Sequence, residues 1–326
     1  MQYVIGRSNI PLIYNGKLLG RAKYTLPPHT LRLEFSVLDY VPANPRYAGA
    51  TIQKVQGVQT NQWDVHYESS NWSWLLEFLP SRYTDPTYKI IDAGDLSGVT
   101  NMHRMCNGTN LTETCWFDTR NVTDMNGMFQ WTDLRTIPSF YTHKVTDMCE
   151  MFDHCSLFEV LPWLDTSSVT TMEGMMAGTQ IESFPAIDTH NVTNMWDMFR
   201  SCVHLRDVPT LDTSNVTTMR TMFYDCAEIT EVSFTDTSKV TDMKGIFWDC
   251  LKLKRVPYMD VSSLEDISLA FDYDYRIEGG AYDLYNRAKD VIPAENTSAY
   301  VQAFRDCGAW TTTGAAELAM IPDAWK

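Results

Sequence analysis

A chain of 326 residues is long enough for two ordinary domains or for one elongated repeat domain with additions. Hydrophobic content of 44%, with 12% aromatic, excludes a disordered chain. Lys+Arg 26 against Asp+Glu 41 gives a net charge of −15, which repels phosphate backbones and, without a visible basic patch, excludes nucleic acid as a partner. No apolar run reaches membrane-spanning length, so no membrane insertion is expected. Residues 1–11 lack a basic segment followed by an apolar one, and no signal peptide is expected. The reading is of a soluble chain that stays in the cytoplasm or leaves without the general secretory route.

In chain order, residues 1–25 read as a β arm, a hairpin turning at Asn15-Gly16. Residues 26–87 form a small β module with predicted strands at 30–35, 50–55 and 62–67. Each alternates apolar with polar residues, as a half-buried antiparallel sheet requires. Ser70-Asn71 then look like the cap of an apolar helix over 72–79, stopped by Pro80, which should plug the open end of a repeat stack beginning at residue 88.

Residues 88–271 repeat one pattern. Valines recur at 99, 122, 145, 169, 192, 216 and 240, and a degenerate Leu264 ends the series. Steps of 23 or 24 residues make this a solenoid, because units so small bury an apolar face only by stacking. Within one unit, Thr217 is the expected N-cap of a short helix that places Met219, Met222, Phe223 and Cys226 on one face. Ile229 and Val232 lead into a short extended segment. The expected architecture is α/β, with a parallel sheet along one flank and helices along the other. Pro138, Pro162, Pro185, Pro209 and Pro257 keep the strands short. Residues 272–326 break the period and read as a C-terminal helical cap, with helices over 279–288 and 314–319 and a stretch at 298–304 that continues the unit.

The aspartates at 95, 118, 165, 188, 212, 236 and 260 form a column, one per unit. Each is expected to open an Asx turn rather than to bind calcium, since the glycine-rich loops of calcium repeats are missing. Cys155, Cys202, Cys226 and Cys250 share one repeat position without any CxxC pair, so buried reduced thiols are expected and zinc is not. His103, His143, His154, His190 and His204 scatter over variable positions and form no catalytic group. With no phosphate loop, GxSxG or HExxH, no enzyme and no cofactor are expected. Trp196, Tyr224 and Trp248 fall off the buried stripe and are the candidate binding surface.

The unit Asp-Thr-Ser-Asn-Val-Thr-x-Met-x-x-Met-Phe-x-x-Cys, as at 212–226, resembles the BspA-like class of leucine-rich repeat proteins over 95–271. Tyr141 replaces the Asp, Cys106 and Met176 the Phe, and Ile246 the second Met. The Pro-Pro-x-Thr-Leu-Arg start at 27–32, the Trp-Asp-Val strand at 63–65 and the closing stretch 313–326 are similar to BspA-like proteins carried by phages and prophages of gut Bacteroides-type bacteria. The resemblance implies a leucine-rich-repeat-type solenoid that recognises or adheres to surfaces without enzymatic activity. It implies two possible placements. One is a virion component that meets other virion proteins or its own copies through the N-terminal β region, as a homo-oligomer, and a host surface protein or glycan through the solenoid. The other is a bacterial cell-surface adhesin or protein-protein interaction protein. An enzyme acting on surface glycans is a distant third reading, since no paired-carboxylate signature can be pinned to a position.

Overall fold

The computed structural model describes residues 8–14, 17–24, 26–38, 40–45, 48–55, 61–76, 78–82, 84 and 86–326, the first two strands as backbone only. β1 (Ser8–Tyr14) and β2 (Lys17–Tyr24) pair antiparallel, Ser8 opposite Tyr24. The Asn15-Gly16 turn expected between them lies outside the described residues, as do residues 1–7.

A second, mixed sheet comes next. β3 (Thr30–Phe35), β4 (Thr51–Lys54), β5 (Gln62–His66), β6 (Tyr88–Ala93) and β7 (Leu111–Thr114) run in the order β4-β5-β3-β6-β7. Only β6 and β7 pair in parallel. The stretch expected to start the repeats, Tyr88 onward, is therefore a strand beside β3, with Tyr88 opposite Phe35. The expected half-buried alternation fails in β3, where Thr30 and Arg32 are buried together with Leu31, Leu33 and Phe35. Arg32 is tolerated inside because its Nε and Nη2 donate to both oxygens of Asp64, its partner across β5, at 2.7 and 2.9 Å.

This sheet is not the flank of a solenoid, and the expected helices of the repeats are absent too: residues 115–280 contain neither a helix nor a named strand. They are built of turns. Isolated parallel bridges join Asn101 to Asp124, Asp124 to Asp147, Asp147 to Thr171, Thr171 to Asn194, Asn194 to Thr218, Thr218 to Asp242 and Asp242 to Asp266. Around Met219 the backbone N–H groups divide by parity. Those of Met219, Thr221, Phe223 and Asp225 donate to Asp242, Lys244, Ile246 and Trp248 in the following turn at 2.8–2.9 Å. Those of Met222, Tyr224 and Cys226 instead close local turns onto Met219, Thr221 and Phe223 at 3.1–3.2 Å. Thr221 and Asp225 hold φ of 48° and 60°, the left-handed third position that such turns need.

The spacing that imitated a helix thus comes from consecutive turns, each bringing residue i and i+3 to the same side. Thr217 is no N-cap: its N–H and hydroxyl both donate to Thr193 O, at 2.9 and 3.1 Å. The same correction applies to residues 72–79. Trp72, Trp74 and Leu76 donate to Asn101, His103 and Met105 at 2.8–3.0 Å, so the expected plugging helix is one more turn of the stack.

The inward columns are shut off from the surface. Val99, Val122, Val145, Val169, Val192, Val216 and Val240 are fully buried. The rings of Phe199, Phe223, Phe247, Phe271 and Phe304 stack at centroid distances of 5.3–5.8 Å. Beyond Phe271, α1 (Ala281–Ala288) interrupts the series before the chain returns, and Ile267, Leu269 and Phe271 donate to Ala299, Val301 and Ala303 at 2.7–3.1 Å. α2 (Thr312–Met320) comes after it, and Trp325 closes the end of the column by stacking on Tyr300 at 4.4 Å. Among the described residues, no helix is long and apolar enough to cross a membrane.

Candidate functional site

The turn geometry decides which side chains face out. Met219, Met222, Phe223 and Cys226 are buried, whereas Arg220, Thr221, Tyr224 and Asp225 are not. The three aromatics expected to form the binding surface fall on this outward flank. Trp196, 38% exposed, occupies the position that Arg220 holds one turn on, and the Arg220 guanidinium lies over its ring at 5.3 Å. Tyr224 and Trp248 are half-buried against one another, centroids 4.9 Å apart, with Arg200 over Tyr224 at 5.6 Å. Acidic partners hold the arginines in place: Asp197 lies 3.5 Å from Arg200 and Asp242 3.9 Å from Arg220. The structure thus brings Tyr224 and Trp248 into contact, while Trp196 sits on the same outward flank under Arg220. Cation–π pairs of this kind hold the rings in place and leave guanidinium groups at the surface beside them.

Next to this patch is a depression that the sequence reading missed. It encloses about 190 Å³ and is walled by Glu150, Asp153, Glu173 and Asp197 around Gly174 and Gly178. Its signal was legible, since the unit Glu173-Gly174-Met175-Met176-Ala177-Gly178 fills nearly every outward slot with a small residue. Neighbouring units carry large side chains there, so this one leaves a notch. Gln130 donates to Glu150 and Asp153 at 3.0 and 2.8 Å and Arg104 meets Glu150 at 2.7 Å, while Arg200, which also lines the depression, lies 3.5 Å from Asp197, so the acids are partly neutralised.

The aspartate column behaves as expected. Asp95, Asp118, Asp165, Asp188, Asp212, Asp236 and Asp260 each accept, through Oδ1, the N–H two residues on, at 2.9–3.2 Å. The N–H of Ser97, His190 and Ser262 holds Asp95, Asp188 and Asp260 below the usual carboxylate range, and the Ser214 hydroxyl, then its N–H, does so for Asp212. A second column went unnoticed in the sequence. Asn101, Asp124, Asp147, Asn194, Asp242 and Asp266 make the same turn at the parallel bridges, at 2.8–3.0 Å. Among the described residues, no group of three or more His, Cys, Asp or Glu could hold a metal ion.

Cys155, Cys202, Cys226 and Cys250 are buried, free, and donate to carbonyls of the preceding turn, namely Phe129, Met176, Phe199 and Phe223, at 2.9–3.1 Å. Burial pushes the thiols of Cys155 and Cys202 up to about 11, which keeps them protonated and unreactive.

The family model described as "Mycoplasma protein of unknown function, DUF285" matches residues 81–186, 131–229 and 178–279, together well over half of the 326 residues. No curated protein matches the chain. Among solved structures, a leucine-rich repeat protein from Bacteroides ovatus ATCC 8483 is similar at a TM-score of 0.41 and 15% sequence identity, over 68% of this chain and 59% of that one. The likeness spans less than two thirds of that protein's length.

Proposed function

The chain belongs to the family of Mycoplasma protein of unknown function, DUF285, and from that premise we propose that it is a non-enzymatic recognition protein whose stacked turns form a leucine-rich-repeat-type solenoid of 23–24-residue units. The observation that carries this reading is the division of each unit. Inward positions hold valine, methionine and phenylalanine in columns, while outward positions vary and gather Trp196, Tyr224 and Trp248 beside Arg200 and Arg220. A fixed core with a variable flank changes its partner without changing its fold. Aromatics and arginines are the residues that dominate binding energies at protein interfaces.

In this reading the chain is displayed on a phage particle as a fibre, decoration or receptor-binding component. The flank meets a host surface protein or glycan. The β1–β2 hairpin, a separate two-stranded sheet, supports docking onto other virion proteins or further copies of the chain by strand addition. The test has two parts. Mass spectrometry of purified particles should find the chain there; finding it instead in a bacterial envelope places it as a cell-surface adhesin. Trp196→Ala with Trp248→Ala should abolish surface binding yet leave assembly intact, while deletion of residues 1–25 should do the reverse. Unchanged surface binding by the aromatic variant would remove the flank from the proposal.

A further inference from the structure

At the junction of the turns with the C-terminal cap lies a cavity of about 370 Å³ on a different flank from the aromatic patch. Thr230, Lys254 and Glu278 reach it from three successive turns held in register: the Lys254 N–H donates to Thr230 O at 3.1 Å and the Glu278 N–H to Lys254 O at 2.7 Å. Lys252 and Arg276 flank that row, and Trp310 forms the facing wall. Lys252 is committed to Glu228, 2.6 Å away. Among the described residues, Lys254 and Arg276 have no carboxylate within ion-pair distance, and both are exposed. In a chain of net charge −15 they make this a place where an anion is attracted rather than repelled.

Trp310 is 67% exposed although one face of its indole lies on Tyr275, with centroids 4.4 Å apart and planes 12° apart. Its other face is free to take a ligand. The wall behind it is rigid. The Trp310 N–H donates to Tyr275 O at 2.9 Å, and the Thr311 hydroxyl donates to Ile277 O at 2.7 Å while accepting the Gly314 N–H at 3.0 Å. A Cβ at Gly314 would meet Ile277 O at 2.1 Å, so α2 docks here only because that residue has no side chain. A site held this way loses little freedom on binding.

We propose that this cavity binds an acidic carbohydrate, a pyranose bearing one carboxylate among several hydroxyls. The free indole face packs on the apolar C–H face of such a ring. Arg276, with Lys254, pairs with the carboxylate, the guanidinium in two-pronged fashion. Glu278 and Thr230 accept and donate to hydroxyls. Glu278 also argues against a polyanion without hydroxyls, since its own charge would repel every further anionic group. The site is distinct from the aromatic flank and stands or falls separately from it.

Calorimetry on the full chain tests this with three probes of equal length: a glucuronate-containing trisaccharide, its neutral glucose counterpart and triglutamate. The uronate sugar is expected to bind about ten-fold or more tighter than either of the others. Lys254→Gln and Arg276→Gln should each weaken the uronate sugar by about ten-fold without moving the melting temperature, since both side chains are exposed. Trp310→Ala should weaken both sugars and leave triglutamate unaffected. The Trp196→Ala, Trp248→Ala variant should bind the uronate sugar as the parent does, whatever it does to surface binding. Absence of uronate binding, equal affinity for the neutral sugar, a preference for triglutamate, or insensitivity to the Lys254 and Arg276 changes would each overturn the proposal.

Discussion

Phe223 and Arg220 stand three residues apart and illustrate how little the energetics of this chain depend on its outward positions. Phe223 is fully buried between Phe199 and Phe247, with ring planes 15° and 5° from theirs. Phe223→Ala removes one plate from a stack that a rigid backbone prevents from collapsing, and should cost roughly 3–5 kcal/mol. Arg220→Ala gives up a half-exposed contact with Trp196 and should cost about 0.5 kcal/mol or less. Chemical denaturation of both variants checks the contrast; equal and mild effects would mean that the inward and outward assignments are wrong. Asp274 is a buried position of a different kind. It stands where other turns carry Cys or Thr, is fully buried, and accepts the Cys250 N–H at 2.7 Å through one oxygen while the other has no hydrogen-bond partner. Burial, which strips water from the carboxylate, pushes its pKa well above the usual range. The native state therefore holds a proton that the unfolded chain releases above its ordinary carboxylate pKa, so this group lowers stability as pH rises from that value toward the raised native one. Asp274→Asn keeps the acceptor for Cys250 and removes the titration. The variant should exceed the parent in stability at pH 7 by roughly 1–3 kcal/mol and by less at pH 4. Denaturation curves at the two pH values decide it, and a gap that does not grow with pH would exclude the mechanism.

At the scale of the element, the sequence reading placed the apolar positions on one side and mistook the conformation that puts them there, for one physical reason. Met219, Met222, Phe223 and Cys226 lie on one side of a helix, but three-residue steps between left-handed turn positions put the same residues on one side as well. The clue that separates the two is chemical. The third place of these turns is filled by Gly127, Gly174 and Gly245 in three units, with φ of 58–59°, and a helix interior does not favour glycine. The strands Thr30–Phe35 and Gln62–His66 were legible from their alternating residue types, although β3 is buried on both faces. The burial of Arg32 was not, because its partner Asp64 is set by sheet register rather than by local pattern. Of the candidate site, the outward position of the aromatics could be read directly, while the arginines over them depend on turn-to-turn registration. The turn account predicts a graded response to adding a methyl group at left-handed glycines. Gly108→Ala, at φ 69° with open space around it, should lose about 1 kcal/mol from backbone strain alone. Gly245→Ala, at φ 59° with Thr221 Cγ2 3.1 Å from the new atom, should lose more. Thermal melts of the pair measure the order; a neutral Gly245→Ala would contradict the turn geometry.

For the whole molecule, the ends differ in kind. The first turn, at Trp72, is separated from the regular steps, which begin at Asn101, by a longer excursion through β6, and the last is sealed by Trp325 after the excursion through α1. Between them every outward-going N–H of one turn meets a carbonyl of the next. The parity rule seen at Met219 has a consequence for how such a chain can change length over evolutionary time. Donors and acceptors are offered at the same places by every unit, so duplicating a whole unit leaves no amide without a partner. The connecting segments absorb the one-residue difference between 23- and 24-residue steps, whereas gaining or losing one residue inside the run of turns shifts the parity and strands a row of amides. Inserting a second copy of residues 217–240, the 24 residues between successive Thr-to-Thr hydrogen bonds, should yield a folded chain with an unfolding midpoint no lower than the parent's. A single alanine inserted after Thr221 should be among the most damaging changes available. Gene duplication can therefore lengthen the outward flank in whole steps, each bringing a fresh set of outward positions for selection to write on.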